Sequence, residues 1–168
     1  MNPKLLNKEL QIVANEWQIF SEIEPAFGTD AKQIIVPIKC WEDCSESLLA
    51  QGKKVGLYIH SDIDVAELTT PKSGYEFIGI EFPKFMDGRG FSIARYLRED
   101  LNLDCDIRAL GEIIEDQLQY LKRCGFTSFE LSERVSEVTA LACLNSFSDA
   151  YQADAVEKQP LFRRKQSA

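Results

Sequence analysis

Hydrophobic and polar positions change period repeatedly along this chain. At residues 33–38 (QIIVPI), 55–59 (VGLYI), 77–82 (FIGIEF), 106–110 (DIRAL) and 128–131 (SFEL), apolar residues dominate short runs with polar ends. Runs of that length, rich in β-branched and aromatic residues, predict strands buried on both faces. Pro37 marks the end of the first run or an edge position, because it has no N–H to give to a neighbouring strand. Between the runs, WEDCSESLLAQG and residues 91–102, 112–124 and 133–147 carry apolar residues at helical spacing, and 62–68 reads as a shorter helix. At ~100° per residue, Ile93, Ala94, Leu97 and Leu101 share one face of the 91–102 helix, and Ser92, Arg95, Glu99 and Asp100 share the other. In 112–124 the apolar face gathers Ile113, Ile114, Leu118, Tyr120, Leu121 and Cys124, with Gln117 in its middle. A glutamine there either bonds an unpaired backbone group or meets a ligand or partner. The first 30 residues are less regular. LQIV and WQIF read as two short strands around Ala14-Asn15-Glu16, with a single helix as the alternative.

Strands that alternate with helices predict an α/β fold of about five mainly parallel strands, either an open three-layer sheet or a partial (β/α) barrel. Residues 1–150 form one expected domain. Residues 151–168 read as a polar C-terminal tail ending in Phe162-Arg163-Arg164-Lys165, with Leu161 and Phe162 as its docking residues.

Composition narrows the function classes. The 168 residues fit one domain, and 45% apolar with 27% charged residues is ordinary for a soluble protein. A formal net charge of −8 argues against nucleic-acid and anionic-membrane partners, which need a basic surface. No apolar run approaches the ~20 residues that span a bilayer. The five cysteines are odd in number, and the N-terminal MNPKLLNKEL lacks the apolar core of a signal peptide, so reduced thiols and a cytoplasmic location are expected. Cys40 and Cys44 have the spacing of half a zinc site. No second pair follows and His60 is the single histidine, so no metal is expected. Cys124 and Cys143 fall in helical patterns and read as small core residues.

Ligands of parallel sheets and barrels lie beyond the C-terminal ends of the strands. Those ends carry His60, Glu81 to Arg89, Gly111-Glu112, and Glu130 to Ser132. The richest is the loop PKFMDGRG, residues 83–90. Glycines let a backbone approach closely, and the following helix offers free N–H groups. Lys84, Asp87, Gly88, Arg89, Gly90, Ser92 and Arg95 are therefore the ligand-binding candidates, for phosphate, sulfate, sulfite or carboxylate. The alternative is a capped turn: Asp87 or Ser92 caps the helix, Gly88 takes a positive φ, and Arg89 pairs with Asp87 or Glu81. The loop is neither GxxxxGK[ST] nor GxGxxG. Glu112, Glu115 and Asp116 crowd the next helix start and repel an anion there. The catalytic candidates are Asp87, Asp116 and His60. A histidine with no carboxylate identified beside it is more often structural, and no Ser-His-Asp or Cys-His set can be assigned by spacing.

The runs IEFPKFMDGRGFSIARYLRED, IRALGEIIEDQLQYLKRCGFTSFEL and FSDAYQ, over residues 77 to 151, resemble the bacterial family of unknown function DUF934. The matching positions are Asp87, Gly88, Arg89, Gly90, Ser92, Arg95, Asp116, Gln117, Arg123 and Gly125. With this resemblance the leading reading is an accessory protein of assimilatory sulfite or sulfate reduction that binds an anionic ligand at residues 84–95 or docks on a reductase. The partner the resemblance implies is sulfite reductase or phosphoadenylylsulfate reductase. It also implies an oxidoreductase label, which no residue here supports. An oxidoreductase needs an electron carrier, and no motif for haem, iron–sulfur, flavin or nicotinamide is legible, so the cofactor is unknown. The competing reading is a stand-alone enzyme acting on a small phosphorylated or sulfonated substrate, with Asp87, Asp116 or His60 supplying acid–base chemistry.

Overall fold

The computed structural model describes residues 4–147 and 149–164. The strands are β1 (Lys4–Leu6), β2 (Ile12–Ala14), β3 (Gln18–Ile19), β4 (Gln33–Pro37), β5 (Lys54–Ile59), β6 (Phe77–Phe82), β7 (Asp106–Gly111) and β8 (Ser128–Leu131). The helices are α1 (Glu24–Gly28), α2 (Trp41–Ala50), α3 (Arg89–Glu99), α4 (Leu118–Arg123), α5 (Glu137–Leu144) and α6 (Leu161–Arg164). The strands make one sheet in the order β2-β1-β8-β7-β6-β5-β4-β3. From β3 to β8 every neighbouring pair is parallel and consecutive in the chain. β1 pairs antiparallel with β8, and β2 antiparallel with β1.

Of the two expected architectures, the partial barrel is the one formed. An open doubly wound sheet reverses its strand order part-way, whereas this order runs in one direction. Right-handed crossovers then place the connecting helices on one side, and the sheet curls into a half barrel. Eight strands rather than about five form it, because the first 19 residues supply three short ones.

Alternation along the strands divides the interior in two. Ile34 and Val36, Val55 and Leu57, Ile78 and Ile80, and Ile107 and Ala109 pack into the main core with Leu48, Leu97, Leu118 and Leu121 of the helices. The intervening residues face the concave side, where Ile35, Tyr58, Phe77 and Leu110 form a smaller cluster with Trp17. The concave layer is mixed in character, since it also receives Glu81, Arg108 and Glu130, which lie in phase with these residues.

Three predicted helices are shorter than expected. The 62–68 segment reduces to a 3₁₀ turn, Val65–Glu67, capped by Asp64 accepting from the Ala66 N–H. The 133–147 segment is helical only as α5, where Ser136 accepts from the Thr139 N–H. The 112–124 segment stays extended as far as Ile114, makes a 3₁₀ turn over Glu115–Gln117, and only then enters α4. The cause is Gly111 (φ +92), after which the Glu112 N–H bonds back across the sheet to the Phe82 carbonyl at 2.8 Å. Ile114 and Tyr120 therefore stand 37% and 51% exposed rather than in the core. Gln117 takes the backbone role: its Oε1 accepts from the Ile114 N–H at 3.2 Å, and its Nε2 donates to the Phe85 carbonyl at 3.4 Å. Cys124 is buried as expected, while Cys143 is only partly so.

The segment after α5 lies against α4. The Ala155 N–H donates to the Arg123 carbonyl, and Asp154 pairs with the Arg123 guanidinium at 3.1 Å. Lys165 and the residues after it lie outside the described residues. Among the described residues no helix is long and apolar enough to cross a membrane.

Gly90 begins α3 directly over Phe82: a Cβ built on it would stand 2.6 Å from the Phe82 ring. Gly88 has φ −85 rather than a positive φ, and a Cβ there meets only Phe91, at 3.9 Å. Gly90→Ala should lower Tm by up to roughly 8 °C, because overpacking of about 1–3 kcal/mol outweighs the ~1 kcal/mol helix-propensity gain of alanine and a chain of this size loses about 2–4 °C per kcal/mol. Gly88→Ala should leave Tm within about 2 °C. Thermal melts of the two variants beside wild type check this contrast.

Candidate functional site

The C-terminal mouth of the half barrel brings together residues from four connections. The parallel register pairs Ile59 with Ile80, so the next residues, His60 and Glu81, stand side by side. The His60 Nδ1 lies 3.1 Å from the Glu81 Oε2 and 3.9 Å from the Asp62 Oδ1. The ring is not turned into line for a hydrogen bond, and Oε2, a buried atom, has no other partner. Tyr58, two residues earlier on the same face, holds its ring 5.8 Å from that of His60. Burial pushes the Tyr58 phenol up from its ordinary range, and the Glu81 charge adds to this. In front of these groups opens a cleft of about 230 Å³ lined by Ser21, Pro37, Lys39, Tyr58, His60 and Asp62. It shares Lys39 and Asp62 with a second hollow of about 360 Å³ that runs towards Thr69.

The loop before α3 closes on itself. Asp87 accepts from the Arg89 Nε at 3.0 Å, the Arg89 Nη2 at 2.7 Å and the Ser61 Oγ at 2.9 Å. It also accepts from the Arg89 backbone N–H at 3.2 Å, in the manner of a cap. The hydrogen bonds from Arg89 and then Ser61 hold the Asp87 carboxyl well below the usual carboxylate range. Arg89 is 58% exposed and its guanidinium is already engaged with this carboxylate. Lys84 is exposed on the same loop, and Gly90 is buried under Phe82. Ser92 and Arg95 lie on the solvent face of α3, where Arg95 pairs with Glu99 at 2.9 Å. Asp116 is exposed in the 3₁₀ turn before α4. Of the sequence candidates, the structure therefore gathers His60, Asp87 and Arg89 around Ser61 and Glu81, and leaves Ser92, Arg95 and Asp116 outside that group. Among the described residues no group of three or more histidine, cysteine or carboxylate side chains is placed to hold a metal ion.

A charged network on the concave face does not stand out in the sequence. Arg108 of β7 donates from Nε to the Ser128 Oγ at 3.0 Å and from Nη2 to the Asp106 Oδ2 at 3.3 Å. Asp106 also accepts from the Thr127 Oγ1 at 2.6 Å and the Ser128 Oγ at 2.8 Å. The guanidinium lies 3.5 Å over the Phe77 ring and 5.5 Å from the Trp17 ring. Arg108, Glu81 and Glu130 are each a charged residue inside or closing an apolar strand, one residue out of phase with the core. Period-2 alternation is the signal that places them on one face. Only the register sets Arg108 opposite Gly79 and Ser128, where its charge reaches Glu130.

Burial pushes the Glu130 carboxyl above its ordinary range, and Arg108 offsets this only in part. As pH rises, the unfolded chain therefore loses this proton first, from about pH 4.3. The contribution to stability is full below that value and falls as pH climbs through the folded pKa. Glu130→Gln removes the titration. Its Tm relative to wild type should rise between about pH 4 and pH 7.5, and melts across that range check it; a difference independent of pH would contradict the assignment.

Comparison with protein-family models matches residues 56–162 to DUF934, a bacterial protein of unknown function. Comparison with curated proteins finds no match. The matched range runs from within β5 to α6 and so contains His60, Glu81, the loop before α3, Arg108 and Glu130. The chain thus belongs to the bacterial DUF934 family.

Proposed function

We propose that the protein is an acid–base enzyme acting on a small polar substrate at the C-terminal mouth of the half barrel. The observation that carries this reading is the 3.1 Å approach of the His60 Nδ1 to the Glu81 Oε2 beside an open cleft. A carboxylate at one ring nitrogen fixes the proton there and leaves Nε2 to take a proton from a bound molecule. Carboxylate–imidazole contacts of this kind are often poorly aligned before substrate binds, and tighten afterwards. In this reading His60 transfers the proton and Glu81 orients it. Asp87 and Arg89 shape the rim through Ser61. Small phosphorylated and sulfonated compounds remain the first substrates to try, with Lys39 as the nearest cation lining the cleft.

A second reading, an accessory protein that docks on a reductase of sulfite assimilation, draws on a different observation. Phe85 and Met86, at the tip of the loop before α3, are 50% and 90% exposed. Exposed apolar residues beside a functional rim are a common mark of a partner surface.

The tests separate the two. With a panel of phosphorylated and sulfonated small molecules, wild type should show saturable turnover. His60→Gln should reduce kcat/KM by roughly 10²–10⁴-fold with Tm unchanged, the range expected for loss of a proton-transfer group. Nitrogen NMR of the His60 ring should show the proton on Nδ1, and Glu81→Gln should redistribute it. Turnover that survives His60→Gln would sink the enzyme reading. Absence of turnover, together with reductase capture that Met86→Asp abolishes, would establish docking instead.

A further inference from the structure

The loop before α3 draws the eye in the sequence, yet Arg89 is paired within it. Among the described residues, Arg108 and Arg164 each keep a buried nitrogen without a hydrogen-bond partner, and Arg108 is the more deeply buried of the two. Its side chain is 7% exposed, and its Nη1 is buried with no hydrogen-bond partner. The groups around it are already engaged. Ser128 accepts from Nε and passes its own proton to Asp106, and Asp106 is shared with the Thr127 hydroxyl. Glu130 feels the charge of Arg108 without bonding to it. A buried cationic N–H with no acceptor is costly, and native structures rarely leave one without a partner, from the protein, a water or an ion.

We infer that the concave face of the half barrel holds a binding point for a small oxyanion that accepts from the Arg108 Nη1, with Trp17 beside it. Small size follows from the walls, since Phe77 and Leu110 are buried against this face and Trp17 packs edge-on to Phe77 at 4.8 Å. Anionic character follows from the charges. Asp106 lies on the Nε and Nη2 side of the guanidinium and is divided among three donors, so the Nη1 side has no bonded counter-charge. Trp17 is partly exposed whereas Phe77 and Arg108 are buried, so the indole is the group of this stack that meets solvent. The Trp17 ring stands 5.5 Å from the guanidinium carbon, so a ligand at Nη1 changes the surroundings of the indole. The site is distinct from the His60–Glu81 pair and does not rest on it.

The indole supplies the readout. Trp17 fluorescence is followed in the full chain while sodium sulfate, phosphate or acetate is added at constant ionic strength, with chloride as control. Trp17→Phe identifies the signal that does not come from the buried Trp41. At least one oxyanion should give a saturable change, and comparison of the tetrahedral ions with acetate assigns the geometry. Arg108→Met should weaken that response at least tenfold. Because that variant removes a buried charge and so lowers stability, the wild-type guanidinium nitrogen resonances are recorded in the same titration. The Arg108 signals should shift with the same midpoint, and those of Arg89 and Arg95 should not. His60→Gln should leave the titration unaltered, so the result is independent of the proposed enzyme activity. If no oxyanion moves either the Trp17 emission or the Arg108 resonances, or if Arg89 responds in place of Arg108, the inference is overturned.

Discussion

Phe82 is the constraint on which the C-terminal mouth depends. It is fully buried at the end of β6, with its ring 5.3 Å from that of Phe91 and 5.8 Å from that of Phe126. A side chain at Gly90 would strike the ring. One at Gly111 would stand 2.7 Å from the Phe82 carbonyl, which accepts from the Glu112 N–H. A single residue thus determines how closely α3 approaches the sheet and how the chain leaves β7. Neighbours on a strand point to opposite faces. Pinning Phe82 into the helical side therefore sends Glu81 to the concave side, where it meets His60. The glycine of the DGRG motif that cannot be replaced cheaply is explained by packing, and the side of the sheet on which Glu81 lies follows from the same contact.

Two ion pairs in this structure have different physical roles. Asp87 and Arg89 lie in a solvated loop, where water screens the attraction and pair geometry matters more than pair energy. Their hydrogen bonds, with Ser61, give the loop its shape and close the start of α3. Arg108 and Asp106 lie in a desolvated layer. Burial there pulls the Arg108 guanidinium down from its ordinary range, against the attraction of Asp106. Removing one partner of such a pair typically costs about 3–5 kcal/mol, because the other charge is left buried. Arg98 is a third case. It caps the turns around α3 by donating to the Gly125, Leu103 and Cys105 carbonyls, with burial again lowering its pKa. A chain of net charge −8 thus places arginines where backbone or carboxylate oxygens need donors.

Much of the fold is legible in the sequence because it is written in local periods. The runs QIIVP, VGLYI, FIGIEF, DIRAL and SFEL are each found in a strand, and the face of α3 built from Ile93, Ala94 and Leu97 is buried. Helix boundaries are less legible. The apolar residues of 112–124 keep a helical spacing, but Gly111 at φ +92 turns the Glu112 N–H to the Phe82 carbonyl, and the helix begins only at Leu118. The odd glutamine of that segment is informative for the same reason, since it caps the delayed start.

The five central strands and the buried face of α3 were determined by the sequence alone, since each depends on residues a few positions apart. Strand order, and with it the choice between an open sheet and a half barrel, was decided only in three dimensions. Crossover direction is a property of the whole chain and leaves no local period. The same holds for the site. His60 and Glu81 are 21 positions apart and become neighbours only through the β5–β6 register. Arg108 reads as one charge in an apolar run until Ser128, Asp106, Phe77 and Trp17 enclose it. Chemistry that depends on a charge meeting its neighbour across a sheet is fixed by register and burial, neither of which is carried by any single stretch of residues.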